Sequence, residues 1–262
     1  MKVVVLQTFV DKGFLGYEDA DHEKNSIILS FCMKSVKDWC KRNNYQYKLI
    51  QETKEKWNLF KYRKPKLWNS SSRKDWELCI QRHEFCLDID ADLLIIIDND
   101  VFIQKDFNLP NVKVGMCESA FGYYKTFDRK IYEMLDRFQI FIQFYNTSYP
   151  QGGVQFIDKS FIKHYNEWLI NSYKSTEWPV IWSGLEQSHM FAYSLQFSEN
   201  INWLNYKYNC VPRGHTLKEI RESYAIHFCG GNKANHLQFM EKEMLNKIFG
   251  EKLANYLCEY RN

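Results

Sequence analysis

No apolar run in the sequence approaches the roughly 20 residues that a helix needs to cross a bilayer; the longest is Leu93-Leu94-Ile95-Ile96-Ile97. A transmembrane segment is therefore not expected. Nor is a signal peptide, because Met1 and Lys2 are followed only by Val3-Val4-Val5-Leu6, with no small-residue cleavage site behind them. The 8 cysteines include no Cys-x-x-Cys pair. In a chain of 262 residues without a secretion signal, this argues against a disulfide framework and a zinc site, and for reduced thiols in the cytoplasm. The net charge of +3 is too small to indicate a nucleic-acid partner. There is no internal repeat, low-complexity tract or Pro/Gly-rich linker, so one domain is expected.

What is present is ordinary globular material, 45% hydrophobic and 26% charged, with an aromatic share of 17%. Aromatic rings fill cores first, and they also offer stacking platforms to sugars and bases; Trp178, Trp182 and Trp203 are candidates for an acceptor sugar. Residues 3–7 read as a buried strand. Residues 26–41 read as a helix with Ile27, Ile28, Phe31, Ser35 and Trp39 along one side, and 45–50 as a strand. This β-α-β opening predicts an α/β protein with parallel strands and right-handed crossovers. Between Lys54 and Lys74, Lys and Arg alternate with Trp and Tyr, a pattern that fits either a phosphate-facing surface or a solvated loop. A helix beginning after Ser72-Arg73-Lys74-Asp75 carries His83 on its apolar side, where a core histidine is expected. Helices are further predicted over 130–145, 161–173 and 186–195, and short strands over 153–157 and 225–228.

The apolar run 93–97 marks a strand covered on both faces, and it ends abruptly in Asp98-Asn99-Asp100. In open α/β sheets ligands bind beyond the carboxyl ends of the strands. Two carboxylates placed there, two residues apart in extended chain and so pointing the same way, suit Mg²⁺ or Mn²⁺. Asp88, Asp90 and Asp92 repeat the spacing but precede the strand, at the wrong end for a ligand, and read as a solvated turn. A second candidate is Ile226-His227-Phe228-Cys229-Gly230-Gly231-Asn232-Lys233. There a strand-end imidazole can meet a metal, and a lysine after a glycine turn can meet phosphate oxygens.

Taken in order, four segments resemble the GT-A glycosyltransferases, in particular the retaining glycogenin-like and the plant xyloglucan or fungal galactosyltransferase-like families. They are the first strand, Ile97-Asp98-Asn99-Asp100-Val101, Gln151-Gly152-Gly153-Val154-Gln155-Phe156, and Glu186-Gln187 followed by His227-Phe228-x-Gly230-x-x-Lys233. The resemblance spans nearly the whole chain. It implies a single GT-A (Rossmann-like) domain over residues 1–262: a central, mostly parallel sheet flanked by helices, with a small antiparallel element near the active site. Residues 1–110 would form the nucleotide-binding half and 111–262 the acceptor-binding half.

It further implies that Asp100 and His227 coordinate Mn²⁺ or Mg²⁺, with Asp98 sharing the metal or holding the ribose. Lys233 would contact the diphosphate, Asn99 and Gly230 would line the same donor site, and Leu6, Gln7 and Thr8 would meet base and ribose. Gly152 and Gly153 would let backbone approach the donor sugar, and Glu186 and Gln187 would stand beside the reacting sugar. Gly152 departs from the family pattern, where a residue such as Asn often precedes the second glycine, so a side-chain contact to the sugar is missing there. The implied activity is transfer of a hexose or pentose from a nucleotide diphosphate sugar, a UDP-sugar being favoured, to a glycan or protein-linked glycan, with retention of configuration. Since the chain starts at the first strand, the expected protein is a soluble, cytoplasmic bacterial or viral enzyme, or an excised catalytic domain. Two alternatives use the same residues differently: a Mg²⁺-dependent phosphatase-like hydrolase with an aspartate nucleophile, and a non-catalytic carbohydrate-binding protein.

Overall fold

The computed structural model describes residues 1–9, 21–52, 81–118, 150–174, 190, 193, 197 and 201–259. The basic-aromatic stretch 54–74, the helix predicted over 130–145, Trp178, Trp182, Glu186 and Gln187 lie outside these residues.

The chain opens as the sequence pattern predicts. Strand β1 (Val3–Thr8), helix α1 (His22–Arg42) and strand β2 (Gln46–Ile50) form a β-α-β unit in which β1 and β2 run parallel, Val4 opposite Gln46. On its other side β1 pairs in parallel with β3 (Leu93–Ile97). The remaining strands are β4 (Val101–Ile103), β5 (Val114–Glu118), β6 (Pro150–Asp158), β7 (Asn202–Leu204) and β8 (Ala225–His227). Six of them make one sheet in the order β2-β1-β3-β6-β5-β7, with β6 antiparallel to both of its neighbours and the other pairs parallel. Strands β4 and β8 form a separate antiparallel pair.

Burial on both faces explains why β3 is apolar throughout. Leu94 and Ile96 join one core with Val4, Leu6, Ile157 and Tyr165 of helix α2 (Lys159–Lys174). Leu93, Ile95 and Ile97 join another with Val3, Val5, Phe156, Val36 and Trp39. Burial of each of these side chains contributes about 1.5–3 kcal/mol. A third core packs α1 against Ile226, Phe228 and helices α3 (Leu217–Glu222), α4 (Lys242–Phe249) and α5 (Glu251–Cys258).

That third core corrects the predicted face of α1. The buried line runs Ile28, Cys32, Val36 and Trp39, while Ile27, Phe31 and Ser35 are half-buried. The helix is wedged between the sheet and the C-terminal helices, so two neighbours, not one, set its buried side. It also starts earlier than the apolar spacing indicates, because the Asp21 side chain caps it by accepting from the Lys24 amide at 2.9 Å. No helix among the described residues is long and apolar enough to cross a membrane. The seven cysteines among them are all free thiols.

Candidate active site

Strands β2, β1 and β3 are parallel, so their carboxyl ends open on one edge of the sheet, and the end of β3 delivers Asp98 there. Its backbone is pinned on both sides. The amide donates to the Gly153 carbonyl at 2.8 Å, and the carbonyl accepts from Gln7 Nε2 at 3.0 Å. The same carbonyl also accepts from the Val101 amide at 3.2 Å, which folds residues 98–101 into a turn. This corrects one step of the sequence reading: Asp98 and Asp100 do not converge by the two-residue repeat of extended chain. They converge because the chain turns between β3 and β4, and because β4 then pairs with β8 and brings Val101 opposite His227. The Phe228 amide donating to the Asp100 carbonyl at 3.0 Å continues that pairing.

Three ligand-type atoms meet as a result. His227 Nε2 lies 3.2 Å from Asp100 Oδ1 and 3.7 Å from Asp98 Oδ2. One donor atom from each residue falls within 4.8 Å of the others. Asp100 Oδ1 is buried with the His227 ring nitrogen beside it, so that an ion held between the two would take both as ligands. Two hard oxygens and an imidazole nitrogen fit a divalent ion such as Mn²⁺ or Mg²⁺.

Each carboxylate also has its own cation. The Arg82 guanidinium, on helical residues 81–85, bonds Asp98 Oδ1, and Lys233 Nζ bonds Asp100 Oδ2 at 2.5 Å. Burial pushes the Asp100 carboxyl up, but the Lys233 ammonium and the His227 ring outweigh it and hold the group well below the usual carboxylate range. Lys233 is placed by its loop: its amide donates to Asn25 Oδ1 at 2.9 Å, and Asn25 Nδ2 donates to the Gly231 carbonyl at 2.7 Å. Gly230 bends this loop at a φ of +92°, a conformation that glycine takes without strain.

Gly153 has a specific reason to be glycine. A Cβ there would meet His227 Nδ1 at 2.3 Å and Asn209 Oδ1 at 2.6 Å. The missing side chain is the seat of the imidazole. Gln151 reaches Nδ1 at 3.5 Å, and an amide can present either of its ends to a ring nitrogen. The neighbouring Gly152 is buried, and its carbonyl accepts from Gln155 Nε2 at 3.1 Å; Gln155 Oε1 in turn meets His83 Nε2 at 2.8 Å. His83 is thus a core histidine with a partner, as its place on the apolar side of its helix predicts.

The structure therefore brings Asp98, Asp100, His227, Lys233, Gly153 and Gly230 to one place, with Asn99 half-buried in the connecting turn. Gln7 is buried at the end of β1 and accepts from the Tyr47 hydroxyl at 3.0 Å. Thr8 is half-buried, and Leu6 lies in the core, paired with Lys48 of β2 on one side and Ile96 of β3 on the other. Trp203 stands on β7 and is 39% exposed. Arg82 and Asn25 carry no local sequence signal; only their partners, far away in the chain, reveal them.

No family model and no curated protein sequence matches this chain. Solved structures do match in shape. Galactosyltransferase LgtC in complex with donor and acceptor sugar analogs is similar at a TM-score of 0.56 and 13% identity, covering 98% of this chain and 95% of that one. A glycosyltransferase involved in glycosylation of the major capsid of PBCV-1 gives 0.54 at 13% identity, over 90% of this chain and 97% of the other. The fold is that of a GT-A glycosyltransferase. Mouse xyloside xylosyltransferase 1 shares it at a TM-score of 0.50 and 10% identity, covering 87% of this chain and 97% of its own. Within this GT-A fold, β4 and β8 are the small antiparallel element; Asp100 directly precedes β4 and His227 ends β8.

Proposed function

We propose that the protein is a divalent-metal-dependent glycosyltransferase that moves a hexose or pentose from a nucleoside diphosphate sugar, with uridine as the favoured base, to a hydroxyl of a glycan or protein-linked glycan with retention of configuration. The observation that carries the proposal is the convergence of Asp98, Asp100 and His227 at the carboxyl end of a parallel strand in a GT-A fold. A galactosyltransferase, a xylosyltransferase and an enzyme of capsid glycosylation share that fold, which supports the reaction class and an acceptor of glycan or glycoprotein type.

In this reading Asp98, Asp100 and His227 hold Mn²⁺ or Mg²⁺. When bound, the ion supplies Lewis-acid neutralisation of the charge that develops on the departing nucleoside diphosphate. The chain's own residues do the rest. Lys233 approaches the diphosphate oxygens and, with Asn99 and the backbone of Gly230, lines that part of the donor site. Arg82 fixes the orientation of Asp98, and the Gly153 seat fixes that of His227. Gln7, Thr8 and the backbone of Leu6, at the end of β1, meet base and ribose. Gly152 and Gly153 admit the donor sugar next to backbone. Glu186 and Gln187 are assigned to the reacting sugar from the motif order; Glu186 orients the acceptor or acts as nucleophile.

The test is release of nucleoside diphosphate from a panel of UDP-, GDP-, ADP- and TDP-sugars in the presence of Mn²⁺ and of a chelator. Release from at least one sugar nucleotide that stops with the chelator and with Asp100→Ala supports the proposal. No release from any donor, together with phosphate release from a simple phosphate ester, would replace it with a hydrolase.

A further inference from the structure

Each carboxylate of the proposed metal site already has a cation of the protein beside it. Asp98 and Asp100 contribute two negative charges, Arg82 and Lys233 two positive ones, and both cationic side chains are only 1% exposed. Screening by water is weak at such depth. The two cations are not held alike. Arg82 belongs to a helical segment packed on the sheet core. Lys233 rises from a turn bent at Gly230, and its Nζ also donates to the carbonyls of Gly230 at 3.0 Å and Phe228 at 3.4 Å. An ion held by Asp98, Asp100 and His227 would share Asp100 with an ammonium 2.5 Å from Oδ2. The repulsion between two cations across one carboxylate is relieved when an anion arrives that takes the ammonium as its own partner. A diphosphate is such an anion.

We infer that Lys233 is an internal competitor of the metal for Asp100, so that metal alone binds weakly and metal and diphosphate each strengthen the binding of the other. The inference rests on the proposed metal and diphosphate site and adds to it a coupling between the two ligands, set by one side chain. Such a coupling is reciprocal by thermodynamic necessity. It would keep a free divalent ion from occupying the site without the nucleotide, and it makes Lys233 a residue that opposes one ligand and favours the other.

The test uses two variants of the full chain: Lys233→Met, which removes the charge at similar length, and Lys233→Gln, which keeps a donor for the two loop carbonyls. Mn²⁺ alone is titrated in equilibrium dialysis and the protein-retained metal measured, then the titration is repeated with inorganic pyrophosphate, which carries the diphosphate and no base and whose own Mn²⁺ complex is dialysable. Expected is that both variants bind Mn²⁺ alone at least about tenfold more tightly than wild type. Pyrophosphate should tighten Mn²⁺ binding to the wild type by a similar factor, and the gain should shrink in the variants. Unchanged or weaker binding of Mn²⁺ alone by both variants, with the wild type still binding Mn²⁺ when pyrophosphate is present, overturns the competitor role and leaves the metal site standing. If the wild type binds no Mn²⁺ with or without pyrophosphate and matches Asp100→Ala, the metal site falls and the inference with it.

Discussion

The two ends of β3 carry the same chemistry in different surroundings. At the amino end Asp88, Asp90 and Asp92 are exposed; Asp90 pairs with Lys2 Nζ at 2.6 Å and Asp92 accepts from the Lys2 amide at 2.6 Å. The Asp90 side chain is 95% exposed, so water can replace its partner at little loss. At the carboxyl end Asp98 and Asp100 meet a buried guanidinium, a buried ammonium and a buried imidazole. Charges taken out of water are retained at an energetic cost, and removing one of them leaves its partner stranded. The same spacing of acids is therefore a surface turn at one end and, at the other, part of a buried group that could hold a metal ion. Which it becomes depends on the direction of the strand and on what the rest of the chain packs against it.

Substitutions should separate the two ends sharply. The largest effect is expected from Asp100→Ala: metal-dependent nucleotide binding should weaken by about 100-fold or more, since one of the three proposed ligands is lost. Urea unfolding should also report a loss of about 3–5 kcal/mol, because Lys233 would be left buried without its carboxylate. Gly153→Ala comes next. Its Cβ would displace the His227 ring, so calorimetry should show Mn²⁺ affinity in the presence of nucleotide falling by about tenfold or more, with a stability loss of about 1–3 kcal/mol from overpacking.

The carboxyl end should be the pH-sensitive one as well. Burial pushes the His236 imidazole down from about 6.5 to about 4, while its Nε2 donates to the Cys229 carbonyl at 2.7 Å. The unfolded chain takes up this proton first, so stability is full above about pH 6.5 and declines as the pH falls towards 4, by up to roughly 3 kcal/mol. Denaturation at a series of pH values should show that decline in the wild type and a shallower one in His236→Gln. The smallest effect belongs to Asp90→Ala, for which neither the melting temperature nor Mn²⁺ binding should change measurably. A loss of metal binding there would undo the contrast between the two ends.

Much of this contrast was legible in the sequence because it is written locally. Five consecutive apolar residues closed by two acids mark a central strand and the end where the candidate site lies, and a histidine, a glycine turn and a lysine mark the segment that packs against it. What was not legible depends on distant partners. Nothing near Arg82 announces that its guanidinium reaches Asp98, and the reason for a glycine at 153 is an imidazole at 227. The antiparallel course of β6 cannot be read from its composition, since a strand buried on both faces looks the same in either direction. The buried amides of Gln7 and Gln155 donate to the carbonyls of Asp98 and Gly152, contacts that no motif announces. The Asp98–Asp100 pair was found by an extended-chain rule, whereas a turn and the β4–β8 pairing are what bring the two carboxylates together.

The most direct measurement is a crystal structure of the protein grown with Mn²⁺ and UDP, with data collected at the manganese absorption edge. The account predicts one strong anomalous peak bonded to Asp100 and His227, with Asp98 at the metal or on the ribose and the diphosphate oxygens completing the coordination. Saturating Mn²⁺ and nucleotide with no anomalous peak between these three residues would contradict it.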